Sequence, residues 1–167
     1  MLQFLIPFLC VNGVSYHVEL AIQDVQEAER QIEVGNYADA LRILDGGSYG
    51  DGDLGRRVED MRAVIAMRTH KKNEITAWVL PHFRDRMKHN KGEVRYQAWL
   101  AEAQLRYGSQ TVALALIKEL ERKDLMPDAF AYLTLAKLNI GAQRESALAA
   151  CRTREKKDES TKSICKI

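Results

Sequence analysis

Two histidines and one aspartate come closest to a pattern that could bind a metal ion. His82 and His89 are seven residues apart, which places them on one face of a straight helix, and Asp85 lies between them. Two histidines bind a metal ion only weakly without a further ligand from the protein. No such ligand is indicated by the spacing of the residues around them. Histidines that lie at the surface or are partly packed explain the pattern more simply. We therefore expect no metal site and no cofactor.

The cysteines and glycines form no catalytic motif. Cys10, Cys151 and Cys165 are widely spaced, and no histidine stands near them in the sequence to activate a thiolate. We expect three free thiols, with Cys10 and Cys151 in the core and Cys165 accessible near the end of a charged tail. The glycines at 46–55 lack the lysine of a phosphate-binding loop and are interpreted as a linker. These observations predict a protein that is not an enzyme.

Composition favours a helical protein that can fold without a disulfide or a bound metal ion. A chain of 167 residues can bury about 70% of its unfolded surface as one domain. Only three prolines are present, and alanine, leucine, arginine and glutamate favour helix over strand. The net charge of +2 is too small to attract nucleic acid over long distances. We expect an all-α fold and a partner other than nucleic acid.

The first residues, 1–16, form an apolar segment with two interpretations. Residues 1–13 are as apolar as the core of a signal peptide, but the basic residues that normally precede such a core are missing. The run is much shorter than the roughly 20 residues of a membrane span, so we predict no transmembrane helix. A capping element of a cytoplasmic protein is the favoured interpretation, and export after a short signal is the alternative.

Apolar residues recur at three- and four-residue steps from His17 onward, which is typical of amphipathic helices. A helix after Asn73 is expected to kink or break at Pro81. The lysine-rich residues 154–167 are expected to fray as a charged tail. The other predicted helices cover 17–34, 38–45, 53–70, 93–107, a segment after Gly108-Ser109, 128–139 and 145 to about 153.

Three glycines mark turns that are each followed by an Ala-Leu pair. Gly108 and Gly141 are 33 residues apart, and Gly35 lies 73 residues before Gly108. The longer interval equals two steps of about 36 if a degenerate turn stands at Lys71, and a period near 34 is typical of two-helix repeats.

The residues around these turns resemble the tetratricopeptide repeat family. The segment Gly35-Asn36-Tyr37-x-x-Ala40-x-x-x-Leu44 is similar to that family's turn and second helix, and Leu100-Ala101 with Gly108, Ala113 and Ile117 matches again. The resemblance covers residues 17–153. It departs from the family at Asp24, where a tryptophan is expected, and at Pro81, where a large apolar residue is expected.

The resemblance implies a right-handed superhelical stack of about four helix-turn-helix hairpins. In such a stack, the first helices line a concave groove that holds a peptide or helix of a partner protein. The family's clamp for a C-terminal carboxylate is not expected, because Glu29 and Glu102 lie at or near the matching positions. The groove residues implied by the turn glycines are Glu29, Ile32, Glu33, Ile65, Arg68, Arg95, Glu102, Arg106, Leu135 and Asn139.

The resulting hypothesis is a non-enzymatic adaptor in which Arg68, Arg95 and Arg106 select acidic partners. One alternative is an RNA-binding helical array that uses the basic stretch 84–95 with Tyr96 and Trp99. A secretion-type chaperone and self-association into a homodimer are further alternatives.

Overall fold

A computed structural model describes the backbone of residues 6–69, 78–155 and 163–166, with side chains from residue 18 onward. These residues contain eight α-helices and no strand, which confirms the all-helical prediction for this part of the chain. The helices are α1 (Ile6–Glu33), α2 (Tyr37–Gly46), α3 (Asp53–Thr69), α4 (Val79–His89), α5 (Val94–Tyr107), α6 (Gln110–Arg122), α7 (Ala129–Leu138) and α8 (Gly141–Arg154).

The chain divides into two compact units, residues 1–62 and 63–167. In the first unit, α1 packs against α2 through Val25, Ala28 and Leu44, which are fully buried. Gly35 has a φ of 81°, a conformation that costs glycine little, and the Asn36 amide donates to the carbonyl of Gln31 at 2.8 Å. The predicted turn between these two helices is therefore present.

Helix α1 begins earlier than the periodicity predicted. The predicted start was His17, but the helix runs without interruption from Ile6. Pro7 lies in its first turn, where a proline removes no intrahelical hydrogen bond, and Gly13 costs only about 1 kcal/mol of helix propensity. Nothing in the apolar segment therefore stops the helix.

The second unit is built from helices that pack in sequence order. Helices α5 and α6 form one hairpin and α7 and α8 another, while α4 packs on α5. Both α5 and α6 also contact α7. Small residues such as Ala101 and Ala136 are fully buried, which allows the helices to approach closely. The shared core includes Ala98, Ile117, Leu120, Phe130, Leu133, Leu135, Ala147, Leu148 and Cys151.

Pro81 marks the beginning of a helix and does not kink one in the middle. Helix α4 begins at Val79, so Pro81 lies in its first turn and its missing N–H leaves no hydrogen bond unmade. A kink or a break was expected at Pro81; the described helix begins at Val79 and has no kink at Pro81, and the segment 70–77 before it lies outside the described residues. Asn73, the predicted cap of this helix, lies outside the described residues.

The prediction of free thiols is wrong for two of the three cysteines. Cys151 in α8 and Cys165 form a disulfide across a Cα–Cα distance of 5.9 Å, and both residues are buried. Glu155 accepts hydrogen bonds from the Ser163 hydroxyl and the Ile164 amide, which hold this segment against the second unit. Sequence spacing could not reveal the bond, because pairing depends on where the chain returns in space.

Candidate interaction site

The predicted groove residues of the first unit are held by neighbours in that unit. Arg57 of α3 donates from Nε to Glu29 Oε1 at 2.5 Å and also binds the second carboxylate oxygen through Nη2. Ile32 is buried in the core, and Glu33 is half-buried and engaged in an interaction of its own. Glu29 therefore already has a bidentate partner within the chain.

In the second unit, the structure brings together Arg68, Glu102 and Arg106. Arg68 donates from Nη2 to Glu102 Oε2 at 2.9 Å, and the two side chains are only 3% and 6% exposed. Arg106, one turn after Glu102 on α5, donates from Nε to Oε1 at 3.1 Å and is 31% exposed. Glu102 thus lies between two guanidinium groups, one buried and one at the surface.

Arg68 is fixed by more than its ion pair. Its guanidinium carbon lies 3.4 Å from the centre of the Phe130 ring on α7, within the range of a cation–π interaction. One residue earlier on α3, the carbonyl of Met67 accepts a hydrogen bond from the Tyr107 hydroxyl. These contacts hold the end of α3 against α5 and α7.

The two arginines keep Glu102 ionised. Burial raises the pKa of this carboxyl, but the charges and hydrogen bonds of Arg68 and Arg106 outweigh it, so the pKa lies below its ordinary value of 4.5. A buried carboxylate is tolerated only when it is paired and hydrogen-bonded in this way.

Lys137, on α7, was not among the predicted residues but belongs to the same region. Partial burial among protein atoms is the main cause that lowers the pKa of Lys137 below its usual value, and repulsion from Arg106 is the second. The negative charge of Glu102 acts in the opposite direction and raises this pKa. No pattern in the sequence distinguishes this lysine from other surface lysines. Lys137 interacts with the charges of Arg106 and Glu102 because α5 packs against α7.

The other predicted residues of the second unit lie apart from this cluster. Ile65 and Leu135 are buried in the core, so their side chains do not reach a surface groove. Asn139 donates from its side-chain amide to the carbonyl of Leu135, and Arg95 is exposed beside Glu93 at 3.0 Å. A binding role for the groove residues that reach the surface stays a prediction.

The two histidines considered for metal binding have different surroundings. The ring of His82 contacts the rings of Trp78 and Phe83, whereas His89 Nδ1 lies 3.1 Å from Asp85 Oδ1. No group of three potential metal ligands occurs within the described ranges.

The ring contacts around α4 continue onto α5. Phe83 lies 5.6 Å from Trp99, and Trp99 lies 5.5 Å from Tyr96, centre to centre. Trp78 at the start of α4 is 44% exposed. These aromatic residues adjoin the basic stretch 84–95, which was the basis of the RNA-binding alternative.

Comparisons with models of protein families, with curated proteins and with solved structures give no match. The resemblance to tetratricopeptide repeats therefore depends on the motif residues quoted above. Among the residues that the structure describes, no helix is both long enough and apolar enough to cross a lipid bilayer.

Proposed function

We propose that this chain is a non-enzymatic adaptor that binds a peptide or helix of a partner protein on a tetratricopeptide-like array of helical hairpins. The observation that carries this proposal is the packing order of the second unit. There α5 packs on its hairpin partner α6 and also on α7, the first helix of the next hairpin. Side-by-side packing of equivalent helices is the building plan of helical repeat arrays.

The charged residues suggest which side of the hairpins meets the partner. Of the three arginines predicted to select acidic partners, Arg68 is buried in its ion pair and acts by holding its neighbours. Arg106 and Arg95 are 31% and 45% exposed and can meet an acidic segment directly. Both lie on α5, a first helix, and first helices line the groove in the family that the motif residues resemble.

The proposal is tested by capture and mapping with the full chain. Immobilised protein is exposed to an extract of the source cell with and without nuclease, and bound material is identified by mass spectrometry. We expect a stoichiometric protein that survives nuclease. Hydrogen exchange of the isolated complex should then show protection on α5 and α7. Protection confined to α6 and α8, or the absence of any stoichiometric protein, would contradict the proposal.

RNA binding is the second candidate, because exposed Trp78 and half-buried Trp99 lie beside a basic helix. Base stacking on aromatic rings and phosphate contacts to arginine and lysine are the usual means of binding single strands. Titration with a 12-residue oligouridylate at several salt concentrations separates the candidates. A steep loss of affinity with salt favours RNA, and no measurable binding favours the adaptor.

A further inference from the structure

Arg106 and Lys137, here called the cation pair, lie on neighbouring helices of the second unit. Arg106 is in the last turn of α5 and Lys137 in the last turn of α7, and these helices pack against each other. Lys137 follows Phe130 by seven residues, so it shares the helix face on which Arg68 covers the Phe130 ring. Both positive groups therefore approach the region around Glu102.

Three cationic side chains lie around Glu102. Arg68 and Arg106 form ion pairs with its carboxylate, and Lys137 lies close enough to interact with their charges. Arg68 is nearly inaccessible to solvent. Arg106, which is 31% exposed, and Lys137, which is exposed, are therefore the cations that an approaching molecule can reach.

The cation pair also retains hydrogen-bond donors. Arg106 directs Nε and Nη2 to Glu102, which leaves Nη1 without a partner in the described part of the chain. Lys137 Nζ forms no hydrogen bond and no ion pair with any described residue. Its three donors and Nη1 of Arg106 are thus available to an external acceptor.

We propose that the cation pair binds the carboxylate of an aspartate or glutamate side chain in the partner segment. This inference rests on the proposed function and names the chemistry that the partner must carry. A single carboxylate fits the two donor groups. A phosphate dianion brings a second negative charge toward Glu102, whose Oε1 lies 3.0 Å from Arg106 Nη2.

Arg68 and Glu102 are positioning residues for this site. Glu102 holds two nitrogens of Arg106, which fixes the direction of the remaining donor. Arg68, anchored on Phe130, in turn holds Glu102. Preorganisation of this kind reduces the conformational entropy lost when a ligand binds.

The lowered pKa of Lys137 gives the site its own spectroscopic readout. Crowding and the charge of Arg106 disfavour the ammonium in the free protein. A bound carboxylate favours the ammonium, so the pKa of Lys137 should rise when an acidic peptide binds. The chemical shift of the Lys137 Cε group, followed through a pH titration by nuclear magnetic resonance, reports this change directly.

The probe is a phage-displayed library of random 12-residue peptides selected on the full-length protein. An enriched peptide is synthesised, and its dissociation constant is measured for the wild type and for Lys137→Glu and Lys137→Gln. Lys118→Glu is the matched control, because Lys118 is an exposed lysine on α6 and the variant has the same net charge. Urea unfolding of each variant checks that the fold is retained.

We expect peptides enriched in aspartate and glutamate, with affinity reduced about tenfold by Lys137→Glu, a few-fold by Lys137→Gln and less than about twofold by Lys118→Glu. Equal effects of Lys137→Glu and Lys118→Glu would overturn the carboxylate site and leave the adaptor function standing. A library that yields no binder would overturn both. Displacement of the peptide by a 12-residue oligouridylate whose own binding needs Lys137 would assign the site to phosphates and overturn the carboxylate proposal.

Discussion

Arg68 and Glu102 form an ion pair that is almost wholly removed from solvent, although 34 residues separate them in the chain. Desolvation of two charges costs several kcal/mol, and their attraction offsets that cost only when the geometry is good. Here Arg68 donates hydrogen bonds from two nitrogens, and Arg106 is a second cationic partner for the same carboxylate. The network therefore specifies how the end of α3, from residue 63 onward, packs with α5 and α7 in the second unit.

Removing the carboxylate should be the most damaging single change in this network. Glu102→Gln leaves two guanidinium groups facing a neutral amide. We expect this change to lower the free energy of unfolding by about 3–5 kcal/mol. Arg68→Met should cost less, because Arg106 still neutralises Glu102. Urea unfolding followed by circular dichroism measures both. The opposite ranking of these two variants would contradict this account.

A surface pair provides the control for these measurements. Arg95 and Glu93 lie 3.0 Å apart with about half of each side chain exposed. Arg95→Gln should change the free energy of unfolding by no more than about 0.5 kcal/mol. A loss similar to that of Glu102→Gln would show that burial is not what makes the inner pair important.

Stability should fall in acid partly because of Glu102. Its pKa in the folded protein lies below 4.5, the ordinary value that it regains on unfolding. Ionised Glu102 therefore contributes its full stabilisation above about pH 4.5, and the contribution is lost as the pH falls through the lowered folded pKa. We expect the free energy of unfolding, measured from pH 7 to pH 3, to fall less steeply in Glu102→Gln.

Other carboxyls with lowered pKa values, including Glu27 and Asp39, are unchanged in this variant. The difference between the two pH profiles therefore isolates Glu102. Parallel profiles would show that Glu102 binds its proton equally well in the folded and unfolded chains.

The helices could be predicted from the sequence where apolar spacing and turn residues agree. The helix predicted from Asp53 to His70 is observed as Asp53–Thr69, and the turn at Gly35 has the positive φ that favours glycine. The start of α1 could not be predicted in this way, because an apolar run such as residues 6–13 has no periodic pattern that separates helix from other structures.

The candidate site was only partly predictable. Arg68, Glu102 and Arg106 were selected as groove residues from their distance to turn glycines, but their mutual pairing depends on burial, which the sequence does not reveal. Ile65 and Leu135 were selected by the same rule and lie in the core. Lys137 was not selected, since its significance comes from charges on another helix.

The disulfide should stabilise the second unit substantially. Cys151 and Cys165 are 14 residues apart, and a bond that closes a loop of this length contributes about 3 kcal/mol, mainly by restricting the unfolded chain. We expect a reductant, or Cys165→Ser, to lower the free energy of urea unfolding by about this amount. Hydrogen exchange at residues 163–166 should accelerate in parallel.

Two variants serve as controls for the disulfide. The double variant Cys151→Ser/Cys165→Ser should be insensitive to reductant, because the bond is already absent. Cys10→Ser should keep the full response of the wild type. Sensitivity of the double variant, or loss of the response in Cys10→Ser, would assign the effect to a thiol other than this pair.

The helix caps of the second unit allow a comparison of two similar side-chain contacts. Asp128 begins α7 and accepts a hydrogen bond from the Ala131 amide at 2.8 Å, whereas Ser109 begins α6 and accepts from Val112 at 3.4 Å. Asp128→Ala should lower the free energy of unfolding by about 1 kcal/mol and Ser109→Ala by distinctly less, because the shorter bond is stronger and a carboxylate also interacts with the helix dipole.

Asp128→Asn keeps the acceptor and loses the charge, so it should lower the free energy of unfolding by only a few tenths of a kcal/mol. Urea unfolding at pH 7 gives all three values, and equal costs for Asp128→Asn and Asp128→Ala would show that charge and not capping makes Asp128 important.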